Sequence, residues 1–250
     1  MGEAKVGEKL SGRRVLITGA ASGMGQEIAR LFAQEGAALA LLDRNAAGLS
    51  ETAGSLGAAG YGCDVADREQ VNRIVSEAGE ALGGIDGLVN AAGILDIMPI
   101  AELDPGSWDR MLAVNLTGPF NVVKAALPFL TRADKATIVN IASVSALMPM
   151  AGTAGYSASK AGLAMFTKAI AFDLGPNIRA NTICPGVIKT EMTRYLWENA
   201  EHAQRASDRV ALKRLGEPGD VARAALFFST EDSGFTTGTE FPVDGGFSWR

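Results

Sequence analysis

The chain has 250 residues, 47% of them hydrophobic and 20% charged, which supports a sizeable core in one large or two small domains. Its net charge of −5 argues against a nucleic acid or an anionic membrane surface as partner. No apolar run reaches the roughly 18 residues of a membrane-crossing helix. The opening Met-Gly-Glu-Ala-Lys-Val-Gly-Glu-Lys lacks the apolar stretch of a signal peptide, so a cytoplasmic location is expected. Cys63 and Cys184 each end an apolar run without metal-ligand spacing, which predicts buried free thiols, no disulfide and no metal. His202, the only histidine, sits among Glu201, Gln204 and Arg205 on a solvated helix face, which disfavours a Ser-His-Asp hydrolase.

Short aliphatic runs alternate with helical patterns along the whole chain. Strands are predicted at 15–18, 37–42, 59–63, 87–90, 137–142, 179–184 and 241–243. Helices are predicted at 24–34, with Ile28, Leu31 and Phe32 on one face, at 46–56, and at 67–82, with Val71, Ile74, Val75 and Ala78 as its stripe. The strand runs are apolar at nearly every position, as in a parallel sheet covered on both faces. No linker or repeat interrupts the pattern, so one domain over residues 1–250 is expected. Two further helices, 107–130 after Asp104-Pro105 and 155–174, are apolar over most of their circumference. Packing on a sheet uses one such face; a second face asks for another subunit, or for cover within the chain, and a homotetramer is the reading preferred.

Three local features carry chemistry. Thr18-Gly-Ala-Ala-Ser-Gly-Met-Gly25 joins the first strand to the first helix. Its glycines, Gly19, Gly23 and Gly25, with Ser22 and Met24 between them, let the backbone approach a pyrophosphate at a helix amino terminus. The spacing is Gly-x-x-x-Gly-x-Gly rather than the commoner Gly-x-Gly-x-x-Gly. Asp43 directly follows the second strand, where a dinucleotide fold places the adenosine ribose. A carboxylate there accepts from the ribose hydroxyls and repels a 2′-phosphate, which favours NAD over NADP; Arg44 beside it works in the opposite direction. Finally, Tyr156 and Lys160 lie four apart, one turn along a helix. An ammonium beside a phenol, whose ordinary pKa is about 10, lowers that pKa and readies it for proton exchange. A surface tyrosine with a solvated lysine has the same spacing.

Together these motifs, in order and over essentially the full length, resemble the short-chain dehydrogenase/reductase family in its single-domain subtype of about 250 residues. Asp64-Val65 resembles that family's adenine-contacting pair. Asn90-Ala91-Ala92-Gly93 resembles its Asn-Asn-Ala-Gly motif, with Ala91 in place of the second asparagine. Asn115 matches its catalytic-helix asparagine, and Ser143 stands 13 residues before Tyr156, the usual interval. Asn181-Thr-Ile-Cys-Pro185-Gly186-Val-Ile188-Lys-Thr190 resembles the nicotinamide-holding segment, and Val243-Asp-Gly-Gly246 the carboxyl-terminal signature. The connection at 174–180 is about one residue short of many relatives.

The resemblance implies a three-layer, Rossmann-type, doubly wound parallel α/β sheet and a nicotinamide-dependent oxidoreductase. It implies a tetrad: Ser143 steadying the substrate oxygen, Tyr156 exchanging its proton, Lys160 binding the nicotinamide ribose and depressing the Tyr156 pKa, and Asn115 holding a relay water. Ile188 and Thr190 would fix the carboxamide. Substrate-lining segments would hold Ile94 and Leu95, Met148 and Met150, and Met192, Tyr195 and Leu196, whose apolar content points to a nonpolar or mixed small molecule, with polyols left open. Residues 190–215 resemble a lid, on which Arg194, Arg205 and Arg209 meet either an anionic substrate or water. The reading preferred is an NAD-dependent secondary-alcohol dehydrogenase or ketone reductase. The alternatives are an NADPH-dependent 3-oxoacyl-(acyl-carrier-protein) reductase and a non-catalytic dinucleotide-binding regulator.

Overall fold

Strands that are apolar at every position must be covered on both faces, and the tertiary structure supplies that cover. The structure is a computed structural model and describes residues 7–248, so most of the segment read for a leader lies outside it. One wholly parallel sheet contains β1 (Arg14–Thr18), β2 (Ala38–Asp43), β3 (Ala59–Gly62), β4 (Gly87–Asn90), β5 (Ala136–Ile141), β6 (Ile178–Pro185) and β7 (Glu240–Val243). Their order in space is β3-β2-β1-β4-β5-β6-β7. Helices α1 (Gly23–Gln34), α2 (Ala46–Leu56) and α9 (Pro218–Ser229) cover one face. Helices α3 (Arg68–Ala81), α5 (Gly118–Leu130) and α6 (Ala154–Leu174) cover the other. Val15 and Ile17 pack in the core with Ile28, Phe32 and Phe228, while Leu16 between them packs with Ile74, Val122 and Ala126. The period-two alternation of the strand thus feeds two separate cores. This is the doubly wound, single-domain α/β architecture that the strand pattern and the resemblance imply.

The strands fall within about two residues of their expected limits. Helix starts follow from caps: Asn45 accepts from the Gly48 N–H at 3.3 Å and Asp67 from the Gln70 N–H at 3.0 Å. The expected helix 107–130 differs in one respect. It starts as α4 (Pro105–Leu112), capped by Asp104, passes through one π turn at Ala113–Thr117, and continues as α5. π turns often mark functional positions, and Asn115 lies within this one. Helix α9 was absent from the expected elements. Its signal is a capping box from Glu217 to Asp220 ahead of Val221, Ala222, Ala225 and Phe228. The charged segment after β6 forms α7 (Arg194–Trp197) and α8 (Ala200–Asp208). No helix among the described residues is long and apolar enough to cross a membrane.

Chain order and spatial order part between β1 and β4, where successive strands begin to build in opposite directions. The connections leaving the carboxyl ends of these two strands diverge and open a crevice, the usual ligand position in such sheets. Every motif identified above lies at or near that rim.

Candidate active site

The glycine loop forms the floor of the crevice. Gly19 has φ +71°, and a Cβ there would stand 2.6 Å from the Ala92 nitrogen. A Cβ on Gly25 would overlap the Gly19 carbonyl, so glycine at both positions lets α1 start close against β1 and the Ala91–Ala92 loop. Ser22, at the α1 cap position, makes no side-chain capping bond, which leaves the first-turn N–H groups for an anion. Asp43 accepts from the Ala21 N–H at 3.0 Å and from the Asn45 N–H at 2.8 Å, so it braces the loop while lining the crevice.

One cavity of about 290 Å³ is lined by Gly19, Ser22, Gly23, Met24, Gly25, Asp43, Arg44, Asp64, Val65, Ala91, Gly93, Ile94, Thr190 and Met192. Most residues expected to hold a dinucleotide therefore meet in one place. Their chemistry fits such a cofactor: glycine backbone and a helix amino terminus for the pyrophosphate, a carboxylate for the ribose, and apolar Val65 for the base. Pro185, Gly186 and Ile188 line the adjoining cavity instead. Asn90 departs from expectation. Its side chain donates to the Asn140 Oδ1 at 2.8 Å, and Asn140 donates to Thr167 at 2.8 Å, a buried ladder beneath the crevice. Paired across β4 and β5, Asn90 ties strands together and does not reach the cavity surface.

A second cavity, about 90 Å³, adjoins the first and is lined by Ser143 and Tyr156 together with the expected Leu95, Met150, Met192, Tyr195 and Leu196. Ile97, Thr153, Thr193 and Phe247 line it as well, and sequence reasoning missed all four. For Phe247 the available signal was its place just after Val243-Asp-Gly-Gly246, where Asp244 accepts from the Gly246 and Ser248 N–H groups and turns the chain back. Two expected pocket residues lie elsewhere. Ile94 faces the larger crevice. Met148 follows the 3₁₀ turn Val144–Ala146, which rotates it to pack against Val144, Val210 and Phe247 behind the cavity wall.

The tetrad residues are tied to the frame by short bonds. Asn115 is fully buried; its amide donates to the Ile94 carbonyl at 2.9 Å and to Ser159 Oγ at 3.0 Å, while its Oδ1 accepts from the Ile94 N–H at 2.8 Å. Ser159 Oγ donates in turn to the Tyr156 carbonyl at 2.7 Å. Asn115 therefore locks the loop beyond Gly93 to α6. Ser143 accepts from the Ser145 N–H at 3.1 Å, capping the turn after β5 and presenting its hydroxyl to the cavity. Lys160 is buried and donates from Nζ to the Ile141 carbonyl at 2.9 Å.

The electrostatics correct one expectation. Tyr156 is partly exposed at the cavity wall, and burial of the group pushes its pKa up to about 12. The Ser143 hydroxyl pulls against this rise, whereas Tyr195 and Cys184 add to it. Burial also lowers Lys160 to about 8. Lys160 loses its proton near pH 8, before a phenol raised to about 12 ionises, so no ammonium is left to favour the phenolate; its Nζ donates to the Ile141 carbonyl and stands 5.8 Å from the ring centroid. Cys63 and Cys184 are buried and free, with thiols raised to about 11 and about 12, first by burial. His202 is exposed, with Nδ1 3.3 Å from the Tyr195 carbonyl and its backbone N–H donating to Asn199 Oδ1. No group of three or more His, Cys, Asp or Glu side chains able to hold a metal occurs among the described residues.

A sequence profile described as Enoyl-(Acyl carrier protein) reductase matches residues 19–248. The chain is 38% identical over 244 residues to the 3-oxoacyl-[acyl-carrier-protein] reductase of Thermotoga maritima, covering 95% of this chain and 98% of that protein. It is also 38% identical over 236 residues to the meso-2,3-butanediol dehydrogenase of Serratia marcescens, with 93% of each covered. A solved structure described as a short-chain dehydrogenase/reductase, glucose/ribitol dehydrogenase, from Brucella melitensis matches with a TM-score of 0.92 at 35% identity, covering 96% of this chain and 98% of that one.

The depressed Lys160 has a consequence for stability. Its pKa is near 8 when folded against 10.5 when free, so between these values the unfolded chain binds more protons. Its contribution is most unfavourable below pH 8 and improves as pH rises toward 10.5. Lys160→Met, of similar reach and unable to ionise, is expected to stabilise the ligand-free protein at pH 7 by about 1–3 kcal/mol. The gain should shrink toward zero by about pH 10 as the wild-type lysine loses its charge. Urea unfolding at both pH values checks this; a less stable variant at pH 7 would mean that the Ile141 bond outweighs desolvation.

Proposed function

This chain belongs to the short-chain dehydrogenase/reductase family of nicotinamide-dependent oxidoreductases, and we propose that it interconverts a secondary alcohol and its ketone with NAD. The observation that carries the proposal is the meeting of Ser143 and Tyr156 in one small cavity that adjoins the glycine-loop crevice, with buried Lys160 one turn along. The glycine loop, Asp43, Val65, Gly93, Lys160, Ile188 and Thr190 would hold the cofactor, which when bound gives or takes hydride.

The remaining chemistry belongs to side chains. Ser143 donates a hydrogen bond to the substrate oxygen and stabilises the charge that develops on it. Tyr156, with its pKa near 12, is a neutral phenol at physiological pH and is poised to donate a proton to a forming alkoxide. Alcohol oxidation needs the reverse transfer, so that direction should gain with rising pH. Asn115 acts through position: it fixes the Ile94 backbone and, through Ser159, the turn of α6 that carries Tyr156. Tyr156→Phe keeps the ring and removes only the hydroxyl that carries the proton. Steady-state turnover is expected to fall 10²- to 10⁴-fold, with cofactor binding close to normal. Retention of more than about a tenth of turnover would remove Tyr156 from this role.

NAD is preferred over NADP because the Asp43 carboxylate lines the crevice and repels a 2′-phosphate. Arg44, lining the same crevice, and the similarity to an acyl-carrier-protein reductase favour the second reading, an NADPH-dependent 3-oxoacyl reductase. Fluorescence titration should give NADH at least about tenfold tighter binding than NADPH, a difference of about 1.4 kcal/mol. Equal or tighter NADPH binding would assign the decision to Arg44.

The assembly proposed is a homotetramer. On α5 and α6, Phe120, Met165 and Phe172 face solvent in the single chain, Phe172 at 90% exposure. Such side chains on otherwise packed helices support a second subunit as their cover. Light scattering at micromolar concentration should report about four times the 26.0 kDa chain mass; a monomer would overturn the assembly.

A further inference from the structure

The hydroxyls of the smaller cavity narrow what can bind there. Its walls are carbon: Leu95, Ile97, Val144, Met150, Leu196 and Phe247 surround the reacting pair. Among the described residues, no Asp, Glu, Lys, Arg or His lines it. The arginines of the segment after β6 are engaged elsewhere. Arg194 pairs with Glu191 at 2.5 Å, Arg205 pairs with Glu201 at 2.5 Å, and Arg209 lies 6.0 Å over the Phe247 ring, outside the lining. A carboxylate or phosphate entering this space would be desolvated without a partner.

Most of the neutral hydroxyls have their protons committed within the protein and are left only to accept. Ser145 Oγ donates to Met150 Sδ at 3.4 Å. Thr153 Oγ1 donates to the Met150 carbonyl at 2.8 Å and lies 2.9 Å from Ser157 Oγ. Thr193 Oγ1 donates to the Ile188 carbonyl and shares a 3.4 Å contact with Thr190 Oγ1. Apart from Ser143 and Tyr156, this leaves the phenol of Tyr195, half-exposed on α7 at the cavity rim. Tyr156 and Tyr195 both line this cavity. A further substrate hydroxyl would meet carbon or an oxygen with no proton to give, and a buried polar group left without a partner weakens binding about tenfold.

Resting on the dehydrogenase reading above, we propose that the substrate is an uncharged, compact, mainly hydrocarbon secondary alcohol or ketone with one further oxygen, and that Tyr195 recognises that second oxygen. Polyols with several hydroxyls and hydroxy acids fit this cavity poorly.

The test uses the full chain with NAD and with NADP, and four alcohols: cyclohexanol, trans-1,2-cyclohexanediol, threitol and 3-hydroxybutyrate. The diol is expected to lead, and cyclohexanol to exceed threitol and 3-hydroxybutyrate by at least about tenfold in kcat/KM. Tyr195→Phe should raise KM for the diol about five- to tenfold, with a clearly smaller change for cyclohexanol and a KM effect larger than any kcat effect. Threitol or 3-hydroxybutyrate matching cyclohexanol would overturn the substrate class while leaving the dehydrogenase reading intact. An unchanged diol KM in Tyr195→Phe, or an equal loss for diol and cyclohexanol, would overturn the role of Tyr195. Absence of turnover for all four alcohols with both cofactors would overturn the dehydrogenase reading, and this inference with it.

Discussion

Two-sided burial of the parallel sheet is the constraint on which the rest of this protein depends. Covering both faces requires crossover helices, and parallel strands then all end on one rim. Because β1 and β4 are neighbours in space while their connections diverge, the rim opens at that point. Gly19, Asp43, Gly93 and Ser143 follow the ends of different strands, yet stand around two adjoining cavities. The chemistry is gathered from distant segments by the sheet, with little local help. The bonds that refine it are short and buried: Asn115 to Ile94 and Ser159, and Lys160 to the end of β5.

Desolvation governs the site more strongly than proximity. A lysine one turn from a tyrosine suggests a depressed phenol pKa, and spacing alone carries that suggestion. In the folded protein both groups lose water, so each shifts toward its neutral form: Tyr156 up and Lys160 down. A neutral phenol beside the Ser143 hydroxyl is suited to giving a proton. Taking one requires added positive charge near the phenolate, which the oxidised, cationic nicotinamide ring would contribute. The two directions of the proposed reaction therefore place different electrostatic demands on one pair of residues.

Specificity follows from which polar groups the fold has already used. Ser145, Thr153 and Thr193 look like substrate-binding hydroxyls on any list of cavity residues. Each donates its proton within its own segment: the turn before α6 or the stretch after β6. Counting polar residues would have described a cavity for polyols. Counting the hydroxyl protons still free to donate supports instead the compact, mainly hydrocarbon substrate proposed above.

The sequence by itself determined the fold class and the principal chemical groups, because both are encoded locally. Unbroken apolar runs require a covered parallel sheet, the spacing of Gly19, Gly23 and Gly25 requires a tight strand-to-helix turn, and Tyr156 and Lys160 share a helix face by periodicity alone. Four matters were decided only by tertiary structure. Asn90 became a strand tie because β5 set Asn140 against it. Met148 left the cavity because the turn at Val144–Ala146 rotated it away. Phe247, Ile97 and Thr153 entered the cavity from segments far apart in the chain. The protonation of Tyr156 and Lys160 was set by burial. Local spacing fixes direction along an element, whereas enclosure depends on every segment that closes over it.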